Sequence, residues 1–150
     1  MGKVQKSTGA TSILHMLHRA SQISEVSFAK SSDTSDLTAR QMIVLEAVGS
    51  EDKPSQTAIC DKSGIDRSTL ADMVRRLIDK GLLARKRTKD DARRYAVRLT
   101  DEGRKVLDRE LPRFQEVDKQ ILNALPPNQR QDFAAALQRI LEASEKVPGR

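Results

Sequence analysis

The stretch LLARKRTKDDARRYAVRLTD, residues 82–101, decides the fold. Two short runs flank a charged turn, a pattern that predicts an antiparallel β-hairpin directly after an amphipathic helix that ends at Gly81. Residues 75–98 hold ten Lys and Arg against three Asp, whereas the other 126 residues hold 17 basic and 18 acidic groups. The positive excess of the chain therefore lies in one helix and one hairpin, as expected of a protein that binds a polyanion such as DNA.

The composition limits the class of protein. The 150 residues suit one domain, or a small domain with helical extensions. With 37% hydrophobic and 32% charged residues, the chain is polar for a compact monomer, so we expect protruding helices or a shared interface. The apolar runs are too short to span a membrane, and no apolar secretion signal opens the chain, so we expect a cytoplasmic protein. The aromatic content of 3% disfavours single-strand binding by base stacking.

The helices before the hairpin have recognisable start and stop signals. Thr38 and Gln41 form a predicted capping box at the start of a second helix. Ser55 is placed to cap a short third helix, the turn at residues 62–65 contains a glycine, and Asp66 is placed to cap a fourth. Two helices joined by such a turn predict a helix-turn-helix, with the second helix exposing small polar and Arg residues near its start.

Long amphipathic helices are predicted on both sides of this unit. Residues 11–30 have apolar side chains at three-to-four spacing, and so does a fifth helix that starts at residue 101 and would be roughly 35 Å long. Pro112 introduces a potential kink in that helix, and Pro126 ends it before a sixth helix. These apolar stripes are too long for one small domain to cover.

Three motifs in order resemble the multiple-antibiotic-resistance regulator (MarR) family of bacterial winged-helix repressors. They are Leu37-Thr38-x-x-Gln41, Leu77-x-x-x-Gly81-Leu82-Leu83-x-Arg85, and Asp91-Ala92-Arg93 followed by Val97-Arg98-Leu99-Thr100-x-x-Gly103. The resemblance extends from about residue 11 to 145. It implies a mainly α fold with a small β-hairpin wing, a winged helix-turn-helix DNA-binding lobe at residues 37–100, and dimerisation helices at 11–30 and 101–145.

The same resemblance implies the partners. They are a second copy of the chain, a pseudo-palindromic double-stranded DNA operator, and a small anionic or aromatic effector that relieves repression from between the dimer helices and the lobe. No Cys/His pairing has the spacing of a structural zinc site, so we expect no metal, and we expect no cofactor. Two rivals stay open: a ligand-independent or architectural DNA-binding protein, and a winged helix used as a protein-interaction module.

The candidate DNA contacts lie on the third and fourth helices and on the hairpin. They are Ser55, Gln56, Arg67, Ser68, Thr69, Asp72, Arg75, Arg76, Lys86, Arg87, Lys89, Asp91, Arg93 and Arg94. The resemblance implies that Arg93 enters the minor groove, where a narrow groove concentrates negative potential, while Asp91 holds it. The alternative is an exposed ion pair between these two residues. The remaining basic residues of the hairpin contact phosphates or are ordinary surface.

The fourth helix has the chemistry for reading bases. Its hydroxyls permit close approach to base edges and phosphates, and an arginine can pair with guanine O6 and N7. Asp72 would repel phosphate, so it either accepts from a cytosine amino group or orients Arg75 or Arg76. Ser55 serves either as a helix cap alone or also as a phosphate contact.

Other residues give weaker indications. His15, His18 and Arg19 could contact an anionic ligand, the two histidines could bind a metal, or all three could be plain exposed positions. Cys60 cannot form an intramolecular disulfide and is interpreted as a small core residue rather than a redox switch. The chain has no nucleophile elbow, no glycine-rich phosphate loop and only two histidines, so we expect no enzyme.

Overall fold

The computed structural model describes residues 12–87 and 95–145. In chain order its elements are α1 (Ile13–Lys30), α2 (Ala39–Gly49), α3 (Gln56–Ser63), α4 (Arg67–Asp79), β1 (Leu83–Arg87), β2 (Tyr95–Leu99), α5 (Asp101–Asn123) and α6 (Arg130–Glu145), with one short 3-10 turn, Pro127–Gln129, before α6. The strands β1 and β2 form a two-stranded antiparallel hairpin. The predicted class, mainly α with a small hairpin, is confirmed.

The predicted helix caps are present. Thr38 Oγ1 accepts from the Gln41 backbone N–H while Gln41 Oε1 accepts from the Thr38 N–H, so the capping box is complete. Ser55 Oγ accepts from the Ala58 N–H at 3.1 Å. Helix α3 ends at Ser63 and is followed by Gly64, whose φ of 70° lies in the left-handed region that glycine adopts without steric cost. These local signals set the start and the end of α2 and α3.

The hydrophobic core lies between α2, α3, α4 and the hairpin, and it continues onto α5. Its fully buried side chains are Phe28 of α1 and Met42, Val44, Leu45, Val48, Ile59, Leu70, Val74, Leu77, Leu83 and Val97. The hairpin register pairs Leu83 with Leu99 and Arg87 with Tyr95, so the apolar base of the hairpin covers the core and its charged end extends outward. The hairpin and helix α4 therefore share one core.

A close backbone contact attaches the start of α5 to the turn between α4 and β1. Thr100 caps α5 by accepting from the Gly103 N–H at 3.0 Å. The Thr100 hydroxyl also donates to the Gly81 carbonyl at 2.6 Å, and its backbone N–H donates to the Leu82 carbonyl at 3.1 Å. A Cβ on Gly103 would lie 2.0 Å from the Leu82 carbonyl oxygen, so only glycine permits this approach.

A second attachment joins the end of α1 to the middle of α5. Arg113 forms an ion pair with Glu110, whose side chain is only 5% exposed. The same guanidinium donates to the Phe28 carbonyl at 2.9 Å and to Ser31 Oγ at 3.0 Å, and it lies 4.4 Å from the centroid of the Phe28 ring. Phe28 also meets Phe114 edge to face at 5.4 Å. The buried carboxylate of Glu110 is thus paired with an arginine, Arg113, that is itself hydrogen-bonded to the end of α1.

The terminal helices differ from expectation in detail. Helix α1 begins at Ile13, and residue 11, its predicted start, lies outside the described residues. Pro112 does not interrupt α5, which runs as one helix to Asn123. The apolar stripes of α1 and α6 are solvent-exposed in the single chain, with Leu14 81% and Leu141 58% exposed. Within the described ranges, no helix is long and apolar enough to cross a membrane.

We expect Gly103→Ala to lower the free energy of unfolding by about 3 kcal/mol, near the upper end for overpacking, because a backbone carbonyl cannot rotate away from the added methyl. Urea denaturation followed by circular dichroism measures the change. Lys105→Ala, at an exposed position of the same helix, is the control and should shift stability by less than about 0.5 kcal/mol. A Gly103→Ala protein as stable as the wild type would mean that α5 can move away from Leu82.

Candidate nucleic-acid interface

The helix-turn-helix is built from α3 and α4. Gly64 turns the chain at the end of α3, and Ser63 Oγ accepts from the Ile65 N–H at 3.2 Å within the turn. Arg67, at the start of α4, donates from Nη2 to Thr57 Oγ1 at 3.2 Å and so links the two helices. This contact gives Arg67 a structural role beside its predicted DNA contact.

Helix α4 buries one face and exposes the other. Leu70, Val74 and Leu77 are almost fully buried. Because successive residues of a helix are about 100° apart, the side chains of residues 68, 72, 75 and 76 lie on the opposite side. Arg75 and Arg76 are 64% and 65% exposed. The structure thus brings four of the predicted recognition residues, Ser68, Asp72, Arg75 and Arg76, to one exposed face, whereas Arg67 and the half-buried Thr69 lie to either side of it.

Asp66 organises the start of this face. Its carboxylate accepts from the Thr69 N–H at 3.0 Å, from Thr69 Oγ1 at 2.6 Å and from Ser68 Oγ at 2.8 Å. These hydrogen bonds, led by that of the Thr69 hydroxyl, lower the pKa of Asp66 to about 2. The hydroxyl protons of Ser68 and Thr69 therefore point at Asp66, and the two hydroxyl oxygens remain free to accept hydrogen bonds. Such acceptors suit the amino groups of cytosine or adenine better than phosphate oxygens, which need donors.

Asp72 pairs with both arginines of the exposed face. Its Oδ1 accepts from Arg75 Nη2 at 2.5 Å and its Oδ2 accepts from Arg76 Nε at 2.8 Å. The hydrogen bond from Arg75 is the main cause that lowers the pKa of Asp72, and the same contact raises the pKa of Arg75. Of the two roles that the sequence left open, this geometry corresponds to the orienting one.

The hairpin carries an exposed basic surface. Lys86 and Arg87 lie on β1 and are exposed, and the Arg87 guanidinium lies 5.9 Å from the centroid of the Tyr95 ring. Tyr95 is not among the predicted contacts, although the hairpin register places it directly opposite Arg87. Arg85 and Arg98, also exposed on the strands, were likewise not proposed as contacts. Of the predicted hairpin residues, Lys89, Asp91, Arg93 and Arg94 lie outside the described residues.

The start of α3 is held against the base of the hairpin. The Val97 N–H donates to the Pro54 carbonyl at 3.0 Å, and Ser55 forms an isolated bridge with Ala96. Gln56 follows as the first residue of α3. Because these bonds fix the residues before α3 to β2, Ser55 and Gln56 lie beside the wing.

The remaining candidates lie elsewhere. His15, His18 and Arg19 are exposed on α1, which packs on α5 and α2. Cys60 is half-buried against the core, and burial raises the pKa of its thiol, as expected of a core residue rather than a reactive one. Within residues 12–87 and 95–145, no group of three or more His, Cys, Asp or Glu side chains is arranged to hold a metal ion.

Known proteins with similar sequences or structures identify the family of this chain. A sequence model of the MarR family matches residues 35–94. The transcriptional regulator HosA of Escherichia coli O111:H- is 31% identical over 108 residues, which cover 72% of this chain and 80% of HosA. The transcriptional repressor NicR of Pseudomonas putida is 24% identical over 133 residues, 89% of this chain and 84% of NicR.

A solved structure agrees with these sequence matches. The structure of BpsR from Bordetella bronchiseptica, whose DNA binding is regulated by 6-hydroxynicotinic acid, is 27% identical to this chain. It superposes with a TM-score of 0.79 and covers 85% of this chain and 97% of BpsR. The curated relatives are transcriptional regulators rather than enzymes. The chain therefore belongs to the MarR family of winged-helix transcriptional regulators.

Proposed function

We propose that the chain acts as a homodimer that binds a pseudo-palindromic operator and represses transcription until a small anionic or aromatic effector binds. The observation that carries the proposal is the exposed face of α4, where hydroxyl acceptors at the start of the helix are followed by two paired arginines. Acceptors and guanidinium donors are the groups that read base edges in the major groove. The basic hairpin beside this face supplies charge for the DNA backbone.

The exposed apolar faces of α1 and α6 support the homodimer. Ile13, Leu14 and Ile23 on α1 are more than half exposed, and so are Ile140 and Leu141 on α6. Burying one such side chain is worth about 1.5–3 kcal/mol, so leaving them all in water is costly. A second copy, whose own helices carry the same stripes, would cover them. Residues 11–30 and 101–145 would then form the dimer and residues 37–100 the DNA-binding lobe.

Two-fold symmetry would fix the form of the operator. Two recognition helices must enter major grooves about 34 Å apart, so a symmetric dimer reads two inverted half-sites. In each half-site, α4 would contact bases, Arg67 and the hairpin residues Lys86 and Arg87 would contact phosphates, and Arg93 would enter the flanking minor groove. A dimer on the operator excludes other proteins from that DNA, which favours repression, the activity of the related NicR. A regulator bound to the chromosome would act in the cytoplasm.

A small effector is supported by the relationship to BpsR, whose DNA binding is regulated by an aromatic acid. His15 and Arg19 are one helical turn apart on α1 and exposed, so they could meet a carboxylate in a cleft completed by the dimer. The ligand-independent alternative keeps the DNA interface and lacks this response. The protein-interaction alternative lacks DNA binding altogether.

We expect the wild type to sediment as a dimer at micromolar concentration, and Leu14→Glu combined with Leu141→Glu to shift it toward monomer and to abolish operator binding. The introduced charges would have to be buried in the interface. Sedimentation velocity and fluorescence anisotropy measure the two effects. Gln22→Glu, the same charge change at an exposed polar position of α1, should leave the dimer intact. A well-folded wild-type monomer would contradict the proposal.

We expect Arg93→Ala to weaken binding to a DNA duplex selected from a random pool on the order of tenfold, and to flatten the dependence on salt, because a groove contact and its counterion release are lost. The change in discrimination should fall on A·T-rich flanking positions. Arg139→Ala removes the same charge from an exposed position of α6, outside the proposed DNA contacts, and should bind like the wild type. Equal affinities of Arg93→Ala and wild type at physiological salt would refute the wing contact.

We expect an aromatic monocarboxylate to lower operator affinity about tenfold, within the usual range of coupling between two sites. The first probe is 6-hydroxynicotinate, followed by a panel of related acids, with release of labelled duplex measured by anisotropy. His15→Ala and Arg19→Ala should require more probe for the same release, and Gln22→Ala should not. Compounds that raise the melting temperature without releasing DNA would contradict induction, and a panel without effect would favour the ligand-independent alternative.

A further inference from the structure

An acidic side chain lies at the centre of the surface proposed to meet DNA. Position 72 is roughly 140–160° around α4 from the buried Leu70, Val74 and Leu77, so Asp72 points almost directly away from the core. A free carboxylate there would repel the phosphates that border the major groove. Asp72 is not free, however, because it forms ion pairs with Arg75 and Arg76.

The two oxygens of the Asp72 carboxylate bind different arginines. Each oxygen of Asp72 accepts from one guanidinium, Oδ1 from Arg75 and Oδ2 from Arg76, at 2.5 and 2.8 Å. All three side chains are at least 42% exposed, so these pairs add little to folding stability. They do change what the surface offers DNA, because the three residues together carry one positive charge instead of two.

The two arginines are held differently. Arg76 is bound through Nε, and among residues 12–87 and 95–145 its Nη1 and Nη2 make no hydrogen bond. These two nitrogens at the end of the side chain are the donors that pair with guanine O6 and N7. Arg75 is bound through Nη2, one of its own terminal nitrogens. The ion pairs with Asp72 therefore leave both terminal nitrogens of Arg76 available to a base, whereas one terminal nitrogen of Arg75 is already engaged.

We propose that Asp72 is a positioning residue that holds Arg76 to read a guanine in each half-site and restrains both arginines from binding phosphates of unrelated DNA. The proposal rests on the proposed DNA-binding function and names the residue that determines its specificity. On unrelated DNA, Asp72 keeps one oxygen on each guanidinium and opposes the approach of phosphate. On the operator, Arg76 binds guanine without leaving Asp72, since the two contacts use different nitrogens.

The test compares affinity for a selected operator with affinity for a scrambled duplex over a range of salt concentrations. With Asp72→Asn, both arginines are released and two negative charges per dimer are removed. We expect affinity for scrambled DNA to rise and the specificity ratio to fall about tenfold, with a salt slope steeper by about 2 per dimer. In selection from random duplexes, Arg76→Ala should lose a guanine preference at one position of each half-site, whereas Arg75→Ala should retain it.

Two variants separate positioning from bulk charge. Asp79→Asn makes the same charge change on the same exposed face, and Asp79 acts on Arg75 only at a distance, without an ion pair among the described residues. Its specificity ratio should stay within about twofold of the wild type. Asp72→Glu keeps the carboxylate within reach of both arginines and should restore most of the ratio.

Three results would overturn the proposal. One is an Asp72→Asn ratio within about twofold of the wild type, and another is an equal loss in Asp79→Asn. The third is a guanine preference that survives Arg76→Ala. In all three the wild type still selects an operator, so the proposed function would stand. A wild-type protein that enriches no sequence would overturn both.

Discussion

The approach of Gly103 to the Leu82 carbonyl is the constraint on which the rest of the structure depends. Leu82 lies in the turn that joins α4 to β1, and Gly103 lies in the first turn of α5. Because no side chain fits between them, the first turn of α5 packs directly against the backbone of this turn. Thr100 reinforces this geometry with hydrogen bonds to Gly81, Leu82 and Gly103. The start of α5 is thus attached to the turn between α4 and the hairpin.

The pairing of Arg113 with Glu110 extends this constraint to the other terminal helix. A buried carboxylate is costly unless a cation and further hydrogen bonds satisfy it, and here the cation is also bonded to the end of α1. Helix α1 is therefore fixed on α5 by a polar contact, beside the packing of Phe28 on Phe114. In a dimer built on α1 and α6, a ligand that moved α1 would act on α5 through this contact and so on the spacing of the two lobes.

The sequence predicted the features that depend on neighbouring residues. Capping by Thr38, Ser55 and Asp66, the glycine turn of the helix-turn-helix and the two short strands of the hairpin are all short-range signals, and all are present. Pro112 was harder to interpret, since a proline can kink a helix or be tolerated within one. Two kinds of side-chain contact were not predicted: that of Arg113 with Phe28, 85 residues apart, and that of Arg87 with Tyr95, which face each other across the hairpin. The double pairing of Asp72 could not be derived either, because spacing permits several alternatives.

The central claim is that one rigid lobe per subunit reads DNA with two-fold symmetry. Hydroxyl-radical footprinting of the protein on its selected duplex tests this most directly, because the cleavage pattern reports which backbone positions are covered on both strands. The account predicts two equivalent protected regions related by a dyad, centred about 10–10.5 base pairs apart, each with a flanking patch where the wing lies over the minor groove. A single unsymmetrical region, or protection without a dyad, would contradict it.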